Sequence, residues 1–201
     1  NLPFYHMSTD YVFSGKKSIP WEVKDTKLPL NVYGMTKALG EDLALKEYKD
    51  GLRIFRTSWL YSPFRKNFVK TMIKLARKDS QVVYVINDQI GQPTSAYDLA
   101  NQIIKSLESG LNPGIYHATN TGEATWNLFA KEIFTLIGED SNRVLPLESL
   151  DYKTNVSRPT YSVLSPACWE GTSLKPMRNW REALETQIFR IKLAVIGEES
   201  L

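Results

Sequence analysis

Hydrophobic positions along this chain alternate between two spacings. Short runs dense in apolar and β-branched residues fall at residues 4–8, 52–56, 82–86 and 115–118, and each reads as a buried strand. Between them apolar residues recur every three to four positions, the period of a helix with one face turned inward. The first such stretch runs from about Val32 to Tyr48, with Asn31 placed to cap it and Met35, Ala38, Leu39 and Leu43 as the expected inward stripe. Asp50-Gly51 stops it. A second spans Asn67 to Lys78, with Phe68, Met72, Ile73 and Ala76 inward, and a third starts near Ser95, with Leu99, Ile103, Ile104 and Leu107 inward. Thr125 caps a fourth that runs to Ile137, and Gly138 sits where a C-terminal glycine is expected. A last helix runs from Asn179 into the 190s. Segments 14–30 and 88–94, interrupted by Gly and Pro, read as loops; Asn112-Pro113-Gly114 is a turn, and the chain is irregular from Val144 to about Ser173. Strands alternating with helices predict an α/β chain with a mostly parallel sheet and helices on its faces.

Composition narrows the class. The 201 residues are 42% hydrophobic, enough to bury a core as one large domain or two small ones. A net charge of +3 with no long basic run argues against a nucleic-acid partner. Cys168 is alone, so no intrachain disulfide forms, and His6 and His117 are too far apart for metal-ligand spacing. His117, on an apolar strand, is expected to be structural and Cys168 inert. No run of about 18 apolar residues is present, so no membrane span is expected. The opening residues carry no signal-peptide pattern, and a reducing cytoplasm is the expected setting.

Two polar clusters stand out against this frame: Ser8-Thr9-Asp10-Tyr11 at the end of the first strand, and Tyr33-Gly34-Met35-Thr36-Lys37 on the first helix. A Tyr and a Lys four residues apart share a helix face, one turn apart. A phenol is a poor proton donor near neutrality, with a pKa of about 10, and a nearby ammonium favours its phenolate. A hydroxyl from the strand end, Thr9 or Ser8, could orient a carbonyl for protonation. Together these form a proton-delivery device for reducing a ketone. No Gly-x-Gly-x-x-Gly, the turn that usually holds a dinucleotide pyrophosphate, occurs in the sequence. Leu2 to Met7 reads as the end of a buried strand, so the chain is expected to be part of a longer polypeptide that carries this turn.

Seven ordered segments carry a resemblance. Ser8-Thr9-Asp10-Tyr11-Val12-Phe13, followed by Pro29-Leu30-Asn31-Val32-Tyr33-Gly34-Met35-Thr36-Lys37 and Gly40-Glu41, resembles the extended short-chain dehydrogenases/reductases. Arg56-Thr57-Ser58-Trp59-Leu60-Tyr61, Asn67-Phe68-Val69, Asp88-Gln89-Ile90-Gly91-Gln92-Pro93-Thr94-Ser95 and Arg158-Pro159-Thr160-Tyr161-Ser162 narrow it to the dTDP-4-dehydrorhamnose reductase family, over about His6 to Trp180.

The resemblance implies an incomplete doubly wound, Rossmann-type parallel sheet plus a smaller C-terminal substrate-binding domain. The dinucleotide-binding remainder would be 1–58 with 94–120, and the discontinuous substrate-binding part 59–93 with 121–201. It implies NADPH or NADH as hydride source and a dTDP-keto-deoxysugar as substrate, and it leaves a homodimer open. Tyr33 would donate the proton, Lys37 would lower its pKa and hold the nicotinamide ribose, and Thr9 would polarise the keto oxygen. Asp10, Tyr11 and Trp59 would contact the deoxysugar, Gln89 and Thr94 the nucleotide half, and Arg158 the diphosphate. Ser8, Arg56 and Ser58 would lie with Tyr33 and Lys37 near the cofactor. Two other readings stand beside this one. The first is a non-catalytic regulatory subunit of the same fold, similar to the β-subunit of methionine adenosyltransferase. The second is another nucleotide-sugar epimerase or dehydratase.

Overall fold

The structure is a computed structural model that describes residues 2–78, 81–152 and 156–199. Asn1, and positions 153–155 of the expected irregular stretch, lie outside the described residues. In chain order the elements are β1 (Phe4–Thr9), α1 (Val32–Tyr48), β2 (Leu52–Thr57), β3 (Leu60–Tyr61), α2 (Phe68–Ala76), β4 (Val83–Ile86), β5 (Ile90–Gly91), β6 (Thr94–Ser95) and α3 (Ala96–Glu108). There follow β7 (Gly114–His117), β8 (Asn120–Thr121), β9 (Ala124–Thr125), α4 (Trp126–Leu136), β10 (Val144–Leu147), β11 (Met177–Asn179) and α5 (Trp180–Glu199).

The central sheet is parallel, in the order β1-β2-β7. Its register sets Thr9 beside Thr57 and Arg56 beside His117, so the carboxyl ends of β1 and β2 lie together. That edge is where ligands collect in sheets of this kind. The predicted strands and helices form close to their expected bounds, and the caps work as the residue types dictate. Asn31, Asn67, Ser95 and Thr125 each accept a backbone N–H from the first turn of α1, α2, α3 and α4.

Two sequence expectations fail for a physical reason. On α1 the stripe Met35, Leu39 and Leu43 is about half exposed, and the buried face is Gly34, Ala38 and Glu41. Close packing selected that face. A Cβ on Gly34 would lie 2.3 Å from the Tyr11 carbonyl oxygen, and Glu41 is needed for a buried ion pair. On α3, Ile104 and Leu107 are exposed while Leu99, Gln102 and Ser106 are buried. The segments read as loop and irregular chain also hold strands. β10 runs parallel to β4, β3 pairs with β6, and β5 pairs antiparallel with β9.

The core divides in the same way. One cluster gathers Tyr61, Val69, Ile73, Phe129, Ile133, Phe134, Trp180 and Leu184 between α2, α4 and α5. A second gathers Phe55, Leu99, Tyr116, Ala118 and Trp169 around the central sheet, and a third joins Val12, Phe13, Trp21, Ala38 and Leu164 beneath α1.

Candidate active site

A cavity of about 490 Å³ opens at the carboxyl edge of β1 and β2. Thr9, Asp10, Tyr33, Lys37, Ser58 and Trp59 line it, with Tyr11 and Ser8. The structure thus brings the strand-end cluster and the Tyr-Lys face of α1 into one space. Tyr33 is 55% exposed, so its phenol faces open volume and not the core. The Tyr11 ring meets it edge-on at 5.9 Å between centroids. Lys37 donates from Nζ to the Met7 carbonyl oxygen at the end of β1, which draws its ammonium back toward the sheet and under the cavity.

Thr9 is buried, and its hydroxyl is already in use. Oγ1 donates to Asp10 Oδ1 at 3.0 Å and accepts from the Tyr11 amide at 3.2 Å. Asp10 is 2% exposed and its Oδ2 has no partner. Burial pushes its carboxyl up to about 7, against weaker opposing hydrogen bonds from Ser162 and Thr9. Burial, then the neighbouring Asp10 charge, also raises the Tyr11 phenol to about 12. A neutral Asp10 can donate to Thr9 Oγ1, and that turns the Thr9 hydrogen outward into the cavity.

Beneath this floor lies a buried ion pair. Glu41 is fully buried and Arg56 is 1% exposed. Arg56 forks onto Glu41, with Nε to Oε1 at 2.9 Å and Nη2 to Oε2 at 2.7 Å, and Ser8 Oγ donates to the same Oε1. Lys27 stands 3.4 Å from Oε2. Burial alone would raise the Glu41 carboxyl, but Arg56, Ser8 and Lys27 outweigh it and hold it below the usual range. Of the two residues expected near the cofactor, Ser8 lines the cavity and Arg56 lies beneath it. Arg56 does not reach the cavity, and the Ser8 hydroxyl is committed to Glu41. Both hold α1 against β1 and β2.

Four other predicted residues sort in two directions. Ser58 lines the cavity but donates to the Gln92 carbonyl at 2.7 Å. Gln89 and Thr94 are buried and line neither this cavity nor the next, so the geometry does not support their expected contact with a nucleotide. Arg158, by contrast, is exposed at the mouth of a second, largely apolar cavity of about 370 Å³, with Phe68, Tyr84, Leu147 and Tyr152. Asn31, the cap of α1, also donates to the Ser157 carbonyl at 2.9 Å, which ties the Arg158 segment to the Tyr-Lys helix.

Sequence reading missed Trp126. It lines both cavities and stacks on Trp59 with ring centroids 3.5 Å apart and planes 9° from parallel. No local pattern marks it, because it acquires its place from segments remote in sequence. Thr57, which the resemblance set with Arg56 and Ser58 near the nicotinamide, has a buried hydroxyl that borders the first cavity without a hydrogen-bond partner. His117 and Cys168 are structural, as expected. His117 Nδ1 meets the Ser165 carbonyl at 3.2 Å, and burial, then Arg56, lowers its pKa to about 3. The Cys168 Sγ accepts from the His117 amide. Among the described residues no group of three or more His, Cys, Asp or Glu is placed to hold a metal, and no helix is long and apolar enough to cross a membrane.

A parallel α/β sheet with a Tyr-x-x-x-Lys helix across its carboxyl edge defines a Rossmann-type protein of the short-chain dehydrogenase/reductase class. Within it the chain belongs to the family described as the RmlD substrate binding domain, which matches residues 1–192. It is 44% identical over 182 residues to a dTDP-4-dehydrorhamnose reductase of Streptomyces griseus, covering 89% of this chain and 60% of that protein. It is 41% identical to a dTDP-4-keto-6-deoxy-D-glucose reductase of Streptomyces niveus, covering 94% and 65%. A dTDP-4-dehydrorhamnose reductase from Bacillus anthracis, solved in complex with NADP, superposes with a TM-score of 0.86 at 37% identity, covering 93% of this chain and 65% of that one. The chain therefore spans about three fifths of the length of the relatives it matches.

Proposed function

We propose that this chain supplies the substrate-binding and proton-delivering part of a reductase. The reaction reduces the 4-keto group of dTDP-4-dehydro-6-deoxy-L-mannose (dTDP-4-dehydrorhamnose) to give dTDP-L-rhamnose, in nucleotide-sugar synthesis for cell-surface polysaccharide. One observation carries the reading: Thr9, Tyr33, Lys37 and Trp59 line a single open cavity at the carboxyl edge of the sheet.

The half-exposed Tyr33 and the cavity beside Lys37 fit the nicotinamide end of NADPH or NADH, which supplies hydride when bound. The chain's own residues do the rest. The Tyr33 phenol is placed to give its proton to the carbonyl oxygen as that oxygen becomes an alkoxide. Proton transfer of this kind is worth roughly 10²–10⁴-fold. Lys37 sets positive charge beneath the same point. Thr9, backed by Asp10, gives the growing oxyanion a pre-placed hydroxyl donor. Trp59 offers a flat ring for the apolar face of the sugar. Arg158 at the second cavity suits a diphosphate, because guanidinium binds phosphate in a fork, and the apolar walls there suit a nucleobase.

The largest core cluster lies wholly within 59–93 and 121–201, which accords with a substrate-binding part there; the dinucleotide-binding remainder would be 1–58 with 94–120, its core completed by Trp169 and Leu164. The lone, half-buried thiol accords with a cytoplasmic setting, and a homodimer is compatible with this reading. This chain by itself is expected to be inactive, so the deciding experiment follows loss of reduced cofactor when the full-length polypeptide that carries this chain and the cofactor turn meets the dTDP-4-keto-6-deoxyhexose. Consumption that depends on the sugar is expected. Cofactor or nucleotide binding with no consumption would point to the regulatory subunit, and sugar rearrangement without net consumption to an epimerase or dehydratase.

A further inference from the structure

The segment from Asp88 to Ser95 lines neither cavity, yet it is braced by several hydrogen bonds. Ile90 is tied on both sides, its amide donating to the Thr160 carbonyl and its carbonyl accepting from the Ser162 amide, each at 2.8 Å. Gln92 Oε1 accepts from Thr119 Oγ1 at 3.0 Å and from the Leu164 amide at 2.8 Å. On its other side the loop holds the Ser58-Trp59 segment. The Thr94 amide donates to the Trp59 carbonyl at 3.2 Å, and Ser58 Oγ donates to the Gln92 carbonyl.

Trp59 itself is unusual. Its φ is 43°, in the left-handed region that bulky residues rarely enter. Such a conformation persists only where the surroundings over-determine it, and it recurs at ligand sites. Here the ring is gripped as well as the backbone. A Cβ on Gly91 would fall 2.6 Å from Cε2 and Cζ2 of the indole, so only glycine lets the loop approach this closely. The Trp126 ring lies flat on the indole at 3.5 Å, and Phe68 in turn packs on Trp126 at 4.6 Å. A residue buried for stability alone would not need a strained backbone at the rim of an open cavity.

We propose that Gly91 and Trp126 are positioning residues that clamp the Trp59 indole as a fixed platform for the sugar ring of the nucleotide-sugar substrate. The proposal rests on the reductase reading above and adds to it a reason for the 88–95 motif. That motif does not touch the nucleotide; it aims the tryptophan that meets the sugar.

The test compares wild type with Trp126→Leu, Trp126→Phe and Gly91→Ala in the full-length polypeptide that carries this chain. It uses steady-state kinetics with the dTDP-4-keto-6-deoxyhexose, inhibition by dTDP alone, and near-ultraviolet circular dichroism, where two stacked indoles give a coupled signal. Trp126→Leu and Gly91→Ala should weaken or displace that signal. Each should raise KM for the keto sugar roughly three- to tenfold, the range of one aromatic stacking interaction, with kcat little changed. Inhibition by dTDP, which carries no sugar, should stay as in wild type in Gly91→Ala, whose residue lines neither cavity, and Trp126→Phe should recover much of the affinity lost in Trp126→Leu. Unchanged KM after loss of the coupled signal would overturn the clamp while leaving the reductase reading intact. Parallel loss of keto-sugar and dTDP binding in Gly91→Ala would also overturn it, as the mark of general loosening. A wild type that neither binds nor reduces the keto sugar would overturn the reductase reading first, and the platform with it.

Discussion

The two walls of the main cavity are built in opposite ways. The proton wall is one strand end and one helix face. Tyr33, Lys37 and Glu41 follow one another at four-residue steps on α1, and Thr9 and Asp10 are consecutive at the end of β1. The sugar wall is assembled from pieces far apart: Trp59 after β2, Gly91 on β5 and Trp126 at the start of α4. The first wall leaves its key group half exposed and anchors it from below with a buried ion pair. The second grips its key group on the ring and on the backbone. The contrast follows from what each must do. A proton donor needs one atom at one place, and a helix pitch supplies that; a stacking platform needs a whole ring plane held still, and only several independent contacts do that.

The largest expected effect falls on the proton wall. Tyr33→Phe removes the proposed proton donor on α1 and should lower kcat by roughly 10²–10⁴-fold with KM almost unchanged. Near-normal turnover in that variant would transfer the role to Asp10 and Thr9. Next comes the support beneath. Glu41→Ala leaves the Arg56 guanidinium buried without its partner and should cost about 3–5 kcal/mol in denaturant unfolding. Replacing both Glu41 and Arg56 by Met should recover much of that loss. If the double variant were no better than the single, Ser8 and Lys27, not the pair itself, would be what holds α1.

The smallest effect is one of pH. Unfolded, the Asp10 carboxyl releases its proton near 3.8; folded, it holds it to about 7. Between those values the folded state binds more protons than the unfolded state, so stability contributed by Asp10 is complete below the lower value and is lost as pH rises through the upper one. Asp10→Asn should flatten the fall in melting temperature across that window. An unchanged slope would mean that Asp10 is ionised in the folded protein and Thr9 is held as a donor to it.

How legible each wall was in the sequence follows the same division. The caps Asn31, Asn67, Ser95 and Thr125, the strands at 4–9 and 52–57, and the Tyr33/Lys37 spacing were all readable, because each depends on neighbours within one turn or one strand. The inward face of α1 was not. Apolar periodicity pointed to Met35, Leu39 and Leu43, while the helix turned its smallest residues and one carboxylate toward the sheet. Gln89, Thr94 and Arg56 were singled out for ligand contacts, and the structure buries all three, with Arg56 paired to Glu41. A buried polar residue and a ligand-binding one look alike in sequence, and they differ only in what lies opposite.

By itself, then, the sequence determined the α/β alternation, the helix that carries Tyr33 and Lys37 on one face, and the hydroxyl cluster Ser8-Thr9 at the strand end, since local hydrogen bonding and side-chain period suffice for these. Only the tertiary structure decided that Arg56 pairs with Glu41, that Arg158 borders an aromatic cavity, and that Gly91 and Trp126 close on Trp59. Those contacts join residues tens of positions apart. Their geometry is set by how the layers pack, and no window of the chain contains it.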